Sequence, residues 1–264
     1  MNQKPFISVI TVSYNAGEVI EKTIISVLEQ DFLDFEYIII DGASKDNTTD
    51  IIRKYENKIT VWITEPDCGI YDAMNKGINL SRGEILHFLN AGDIYSSSTV
   101  LSHVSEAFQN NPGKKWLYSP VELDSDLYKK RIIIGSKPLT YYVEHCHQGF
   151  FYKKEFHDKF GLYDTSYKIS ADHQFLLKLY HRNGEKPLFL NEVAVIFKLG
   201  GVSDKRLDAI REEKRAQDEV LGKSIRHKIH SLIKIASYLI RKALETIRFT
   251  RPIIHLVRKW KHGS

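Results

Sequence analysis

The sequence predicts an α/β fold: a mixed, mostly parallel sheet flanked by helices, followed by a C-terminal amphipathic helical extension. Three observations predict it. Short β-branched runs alternate with stretches of helical periodicity, each apolar run ends in a polar turn-forming loop, and a cationic segment of helical spacing closes the chain.

The elements follow in order. Ile7 to Ser13, ISVITVS, is a buried strand broken by YNAG, and Glu18 to Gln30 places apolar residues at Val19, Ile20, Ile24, Val27 and Leu28 on one helix face. Phe35 to Ile40 is a second strand, ended by DGASKDNT and followed by a helix from Thr48 to Tyr55. Ile59 to Thr64, a helix across Ile70 to Leu80, and Glu84 to Asn90 continue the alternation, which is the mark of a parallel sheet covered by helices. Beyond Ser96 the period weakens. A helix around Thr99 to Phe108, strands at Trp116 to Val121, Lys130 to Ile134 and His147 to Tyr152, a helix at Ser170 to Tyr180 and a strand at Pro187 to Lys198 are expected. One domain is set at residues 1–222, in two halves at 1–100 and 101–222, followed by a basic tail at 223–264.

Composition narrows the class. Of the 264 residues 42% are hydrophobic and 27% charged, values that belong to a packed globular chain. Two cysteines, Cys68 and Cys146, form no CxxC pair, which argues against a disulfide scaffold and suits a reducing compartment. The N-terminus enters a strand directly and shows no signal-peptide pattern, and no run is apolar enough to span a bilayer. The net charge of +5 is uneven: Leu221 to Ser264 carries eleven Lys or Arg against one acid, Glu245, which leaves the rest mildly acidic. A basic tail on such a body implies an anionic partner.

In parallel sheets ligands gather beyond the carboxyl ends of strands, where loops and helix N-termini converge. Four loops lie there: YNAG, DGASKDNT, EPDCGIYDAMNKG and NAGD. Asp41 closes the second strand; Gly42 permits a tight turn, and Ser44, Asp46 and Asn47 are candidates to cap the following helix. Asp72 and Lys76, four apart on a helix, are spaced for a simple surface pair. Asp93 follows an apolar strand in FLNAGD, a place that caps a helix, closes a turn or holds a metal.

These motifs, SVITVSYNAG, IIIDGASKDNT, EPDCGIYDAMNKGI and ILHFLNAGD, occur in an order and spacing that resembles the family 2 glycosyltransferases, inverting enzymes of the GT-A fold. Similarity continues through CHQGFFYKKEF, GLYDTSYKISADHQFLLKLY and FKLGGVS, covering most of the first 205 residues but not the tail. The resemblance implies that Asp41 contacts the nucleotide base of a sugar donor and that Thr11, Tyr14 and Asn15 form the first nucleotide loop. It further implies that Asp72, Asn75 and Lys76 lie against the nucleotide or its phosphates. Asp93 falls at the family's metal motif and is expected to ligate Mg²⁺ or Mn²⁺, although Asn90 and Gly92 stand where acids are common. With so few acids, the metal is expected to bind weakly until donor supplies further oxygens.

An acceptor hydroxyl needs a base as its bond to the sugar forms. Asp172 in ISADHQ resembles the family's acidic base, with Ala171 in place of a common glutamate; a carboxylate at a helix N-terminus also has a purely stabilising role of about 0.3–1 kcal/mol. His147 and Gln148 match a segment that borders the acceptor cleft, and a structural hydrogen bond is the alternative for His147. His145 and His147 share one face if this segment is a strand, yet no second pair completes a metal site. KLGGVS, Lys198 to Ser203, is either a loop over the diphosphate or a plain turn.

In the tail, Ile225, Ile229, Leu232, Ala236, Leu239 and Ala243 recur every three or four residues, with Arg226, Lys234, Arg241, Lys242 and Arg248 around them. The pattern describes a basic amphipathic helix that either lies on a membrane or packs on the domain with its charges in water. Nucleic acid is disfavoured as its partner. The expected activity is metal-dependent transfer of a sugar from a nucleotide-sugar to a lipid-linked or other saccharide acceptor, performed in the cytoplasm on the inner face of the plasma membrane. Two alternatives remain: a nucleotidyltransferase that forms nucleotide-sugars, and a non-catalytic membrane-associated protein that binds them.

Overall fold

The computed structural model describes residues 4–124, 132–134, 146–198, 206–240 and 243. In chain order the first half contains β1 (Ile7–Ser13), α1 (Ile20–Leu28), β2 (Phe35–Asp41), α2 (Thr48–Arg53), β3 (Val61–Thr64), α3 (Ile70–Leu80), β4 (Ile85–Phe88), β5 (Ile94–Tyr95) and α4 (Val100–Gln109). The second half adds β6 (Trp116–Tyr118), β7 (Val121–Asp124), β8 (Ile132–Ile134), β9 (Phe150–Lys153), α5 (Glu155–Phe160), α6 (Ala171–Arg182), β10 (Leu188–Phe189), β11 (Val195–Lys198) and α7 (Arg206–Leu221). A further helix, α8, runs over 225–240.

The main sheet has seven strands in the order β10-β6-β9-β4-β1-β2-β3. β1 pairs in parallel with β2 and β4, and β2 with β3, whereas β9 runs antiparallel to both β4 and β6. A second sheet, β5-β11-β7-β8, lies beside it. Every residue of β1 is buried, as a strand covered on both faces requires. Ile7, Val9, Tyr37 and Ile39 face α1, α2 and α4, while Ile10, Val12, Ile38 and Ile40 face α3 and α6. Odd and even positions of one strand thus feed two separate cores.

The structure redraws three expected strands. Trp116 to Val121 divides at Ser119-Pro120, so that β6 and β7 enter different sheets; Pro120 has no N–H to extend a ladder. Pro187 to Lys198 divides into β10 and β11 for the same two sheets. His147–Gly149 is a turn of 3₁₀ helix before β9, not strand, so the alternation used to place His145 and His147 on one face does not apply. His145 and the loop 199–203 lie outside the described residues.

Candidate active site

The ends of β1 and β2 are laced together by polar side chains. Asn15 sits at φ 48°; its N–H donates to Ser44 Oγ and its Oδ1 accepts from the Lys45 N–H, both at 2.8 Å. Asn tolerates this left-handed backbone, and here it fastens the YNAG loop onto DGAS. Asp41 is fully buried and accepts from Ser13 Oγ, the Ser44 N–H, Ser44 Oγ and Thr64 Oγ1. Its carboxylate therefore organises the loop around the crevice. Ser44 serves Asp41 rather than the helix; Asn47 occupies the N-cap of α2 without a side-chain cap bond, and Asp46 accepts from the Thr48 N–H at 3.1 Å. Tyr14 is 64% exposed at this rim. A methyl on Gly42 would lie 2.3 Å from Asp67 Oδ2 and 3.4 Å from the Tyr14 ring, so Tyr14, Gly42 and Asp67 are packed side by side.

The next segment descends into α3. Asp67 accepts from the Gly69 N–H and Asp72 from the Cys68 N–H, which turns the chain into the helix. Lys76 donates to the Pro66 carbonyl and pairs with Glu65 at 2.8 Å and Asp72 at 3.7 Å. Asp72 and Lys76 thus form the surface pair their spacing allows while also holding the 65–72 loop in shape.

Two expected nucleotide contacts are instead internal. Thr11 is fully buried within β1; its hydroxyl donates to the Leu89 carbonyl at 2.7 Å and lies 3.1 Å from Tyr37 Oη. Asn75 bridges the backbone of Tyr163, with Nδ2 donating to the carbonyl and Oδ1 accepting the N–H, each at 2.9 Å. Every polar atom of both side chains already has a partner within the protein; Thr11 joins β1 to β2 and to the residue after β4, and Asn75 joins α3 to the segment before α6.

The second half of the chain meets the first at Asp93 and Asp172. Asp93 is buried in the turn after β4, where its N–H donates to the Asn90 carbonyl and Gly92 adopts φ 103°. Gln148 Nε2 donates to Asp93 Oδ2 at 3.1 Å. One residue away, His147 Nδ1 lies 3.0 Å from Asp172 Oδ2, and its Nε2 lies 3.0 Å from Asn90 Nδ2. Tyr71 Oη completes the set, 2.8 Å from Asp172 Oδ1 and 2.5 Å from the Ile169 carbonyl, which share its single proton. The two carboxylates that the sequence proposes for metal and base therefore stand at the ends of one hydrogen-bonded assembly. His147 and Gln148 are the links between them, Gln148 Nε2 directed at Asp93 and His147 Nδ1 at Asp172.

The electrostatics follow from the contacts. Burial disfavours ionised Asp172, but the hydrogen bond and charge of His147 and the Tyr71 hydroxyl outweigh it and hold the carboxyl below its ordinary range. His147 moves the other way: burial lowers it, while the hydrogen bond to Asp172 and the fields of Asp172 and Asp93 raise it above an ordinary imidazole. Neutral His147 carries its proton on Nδ1 and accepts from Asn90 Nδ2; the imidazolium needs the Asn90 amide turned, so that Oδ1 accepts from Nε2.

Behind this pair stands His87, which burial pushes down to about 3 and keeps neutral. Its Nε2 donates to the Gln148 carbonyl at 2.9 Å, so Nδ1 accepts from Tyr95 Oη at 2.8 Å, and the ring stacks on Phe151 at 3.9 Å. From the far side Glu212 of α7 accepts the N–H groups of Lys168, Ile169 and Ser170, fixing the approach to Asp172.

Asn90 Oδ1 is buried and without a hydrogen-bond partner. Together with Asp93 it offers hard oxygen donors in one turn, a fit for Mg²⁺ or Mn²⁺. No group of three or more His, Cys, Asp or Glu side chains is gathered for a metal among the described residues. Such a cation would draw most of its ligands from substrate oxygens.

The sequence reading missed Tyr71, His87, Asn90 and Asp67 as parts of this site. A lone histidine within the apolar run ILHFLN was the available signal for His87. Nothing in the local pattern marks Tyr71, whose partner lies 101 positions away.

A mixed, mostly parallel sheet flanked by helices, with Asp41 and Asp93 at or just beyond its strand ends and Asp172 linked to Asp93 from the second half, is a GT-A type of architecture. The model of Glycosyl transferase family 2 matches residues 8–153, more than half of the chain, and the protein belongs to that family. It is 26% identical over 208 residues to a PGL/p-HBAD biosynthesis glycosyltransferase of Mycobacterium bovis, covering 77% of this chain and 81% of the relative. It is also 34% identical over 153 residues to the putative teichuronic acid biosynthesis glycosyltransferase TuaG of Bacillus subtilis, 51% of this chain and 61% of TuaG. Among solved structures, the mannosyltransferase PcManGT of Pyrobaculum calidifontis, in complex with GDP-Man and Mn²⁺, superposes with a TM-score of 0.65 at 16% identity, covering 98% of this chain and 84% of that one. That similarity establishes the fold.

Proposed function

We propose that this protein transfers a sugar, with inversion, from a nucleoside-diphosphate sugar to a hydroxyl of a lipid-linked saccharide during assembly of a bacterial cell-surface polysaccharide. The supporting observation is the assembly Asp93, Gln148, His147, Asp172, in which a donor-side and an acceptor-side carboxylate are held in fixed relation by two adjacent residues. The family, the teichuronic acid relative and the donor in the mannosyltransferase complex favour the same reading.

Donor binds where the loops after β1, β2 and β3 meet, with Tyr14 and Asp67 at the rim and Lys76 beside the phosphates. Asp93 and Asn90 Oδ1 would hold Mg²⁺ or Mn²⁺, which when bound offsets charge on the leaving diphosphate. Asp172 removes the acceptor proton as the oxygen attacks the anomeric carbon opposite the nucleotide. His147 and Tyr71 hold both of its oxygens in place, so the base is oriented before acceptor arrives. A single displacement inverts the centre, and no second nucleophilic carboxylate is required.

The test is Asp172→Asn. Loss of a general base costs roughly 10²–10⁴-fold in turnover, while donor affinity by calorimetry stays near that of the native protein. Unchanged turnover removes Asp172 from its role. Release of pyrophosphate rather than nucleoside diphosphate replaces this reading with a nucleotidyltransferase, and donor binding without any product leaves only a binding protein.

A further inference from the structure

Amphipathic helices at the end of a domain usually turn their apolar side inward. α8 does the reverse. His227 Nδ1 meets Asp218 at 3.2 Å and Lys234 Nζ meets Glu213 at 2.7 Å, both acids on α7, and His227 and Ser231 are buried. Its polar side is therefore the side attached to the protein. Ile225, Ile229, Leu232, Ile233, Leu239 and Ile240 are all at least half exposed. At 100° per residue these side chains fill an arc of about 120°. Arg226 and Lys228, both exposed, stand on opposite edges of that arc.

We propose that this face of α8 lies flat on a bilayer containing anionic lipid, its isoleucines and leucines among the upper acyl carbons and its two edge cations at the phosphates. Charge complementarity selects this occupant over a second copy of the chain. The exposed face is bordered by cations on both edges, and the only acid after residue 222 in the sequence is Glu245, so self-pairing through it would oppose like charges. Among the described residues no helix is long and apolar enough to cross a membrane. The consequence reaches the site through one element: α7 holds α8 by Glu213 and Asp218 and holds the approach to Asp172 by Glu212. A lipid-borne acceptor would thus be met at the surface on which it resides.

The proposal does not depend on the catalytic reading, and vesicle flotation of the full chain tests it. Binding is expected to phosphatidylglycerol–phosphatidylcholine vesicles and to be far weaker with phosphatidylcholine alone. Ile229→Glu with Ile233→Glu, both at exposed positions, should lower the bound fraction about tenfold or more, with native circular dichroism and native donor affinity. Arg226→Gln and Lys228→Gln should each weaken binding to the anionic vesicles about fivefold. Equal binding by the Glu pair, or no flotation of the native chain, overturns the proposal. A native dimer by sedimentation that the Glu pair converts to monomer, without flotation, assigns the face to self-association instead.

Discussion

Replacing His147 with phenylalanine retains a flat ring of similar size and removes both polar contacts of the imidazole. Asp172 then keeps the Tyr71 hydroxyl and the His173 N–H. Its side chain is 19% exposed, so the loss falls below the 3–5 kcal/mol of a fully buried broken pair, at roughly 2 kcal/mol, or about 4–8 °C in melting temperature for a chain of this size. The cost depends on pH in a defined way. In the native protein Asp172 is held low, so its contribution is present above the unfolded carboxylate value and is lost as pH falls through the folded value. His147 is held high, so its contribution is present below the unfolded imidazole value and is lost as pH rises through the folded one. The stability gap between native protein and His147→Phe should therefore be widest between these two titrations and narrow on either side. With its partner gone, burial dominates Asp172 and moves its carboxyl upward, so the acid limb of kcat/KM should shift to higher pH. Thermal unfolding across pH, paired with a pH–rate profile, measures both. A gap independent of pH together with an unmoved acid limb refutes the reasoning.

Three further outcomes follow from single contacts. Asn75→Ala orphans the Tyr163 N–H and carbonyl and should cost about 2–4 kcal/mol in thermal unfolding without changing donor affinity; weaker donor binding at native stability would restore Asn75 to the nucleotide. Gly42→Ala puts a methyl against Asp67 and should weaken donor binding about tenfold, ~1.4 kcal/mol, as read by calorimetry, whereas native affinity would separate Asp67 from the donor. Glu212→Ala releases three N–H groups before α6 and should lower kcat more than donor affinity, with partial rescue in Glu212→Gln; a pure loss of stability with native kcat would limit Glu212 to folding.

The nucleotide-side strands were legible because their period of two and their terminal glycines and asparagines are local signals. Motif context also singled out Asp93 and Asp172, which the structure places at the two ends of one assembly. Thr11 and Asn75 were misplaced for the opposite reason. A polar residue in a motif looks the same whether it faces a crevice or closes a buried hydrogen bond, and the partners Leu89 and Tyr163 are 78 and 88 positions distant. The link from His147 to Asp172 depends on a 3₁₀ turn that the sequence read as strand. The tail was read correctly as amphipathic, but which of its faces meets the protein is set by Glu213 and Asp218 on another helix.

The antiparallel insertion of β9 between β4 and β6 carries a consequence for dissection of the molecule. Residues 1–100 include β4 but not the strand that covers its outer flank, so a fragment cut there would present an unpaired edge and invite aggregation. It would also lack Gln148, leaving Asp93 without that donor. The halves are therefore not interchangeable cassettes. Grafting a foreign acceptor half onto this nucleotide half must carry a matched β9 and its preceding turn, or the chimera will inherit a sheet with an interior strand missing.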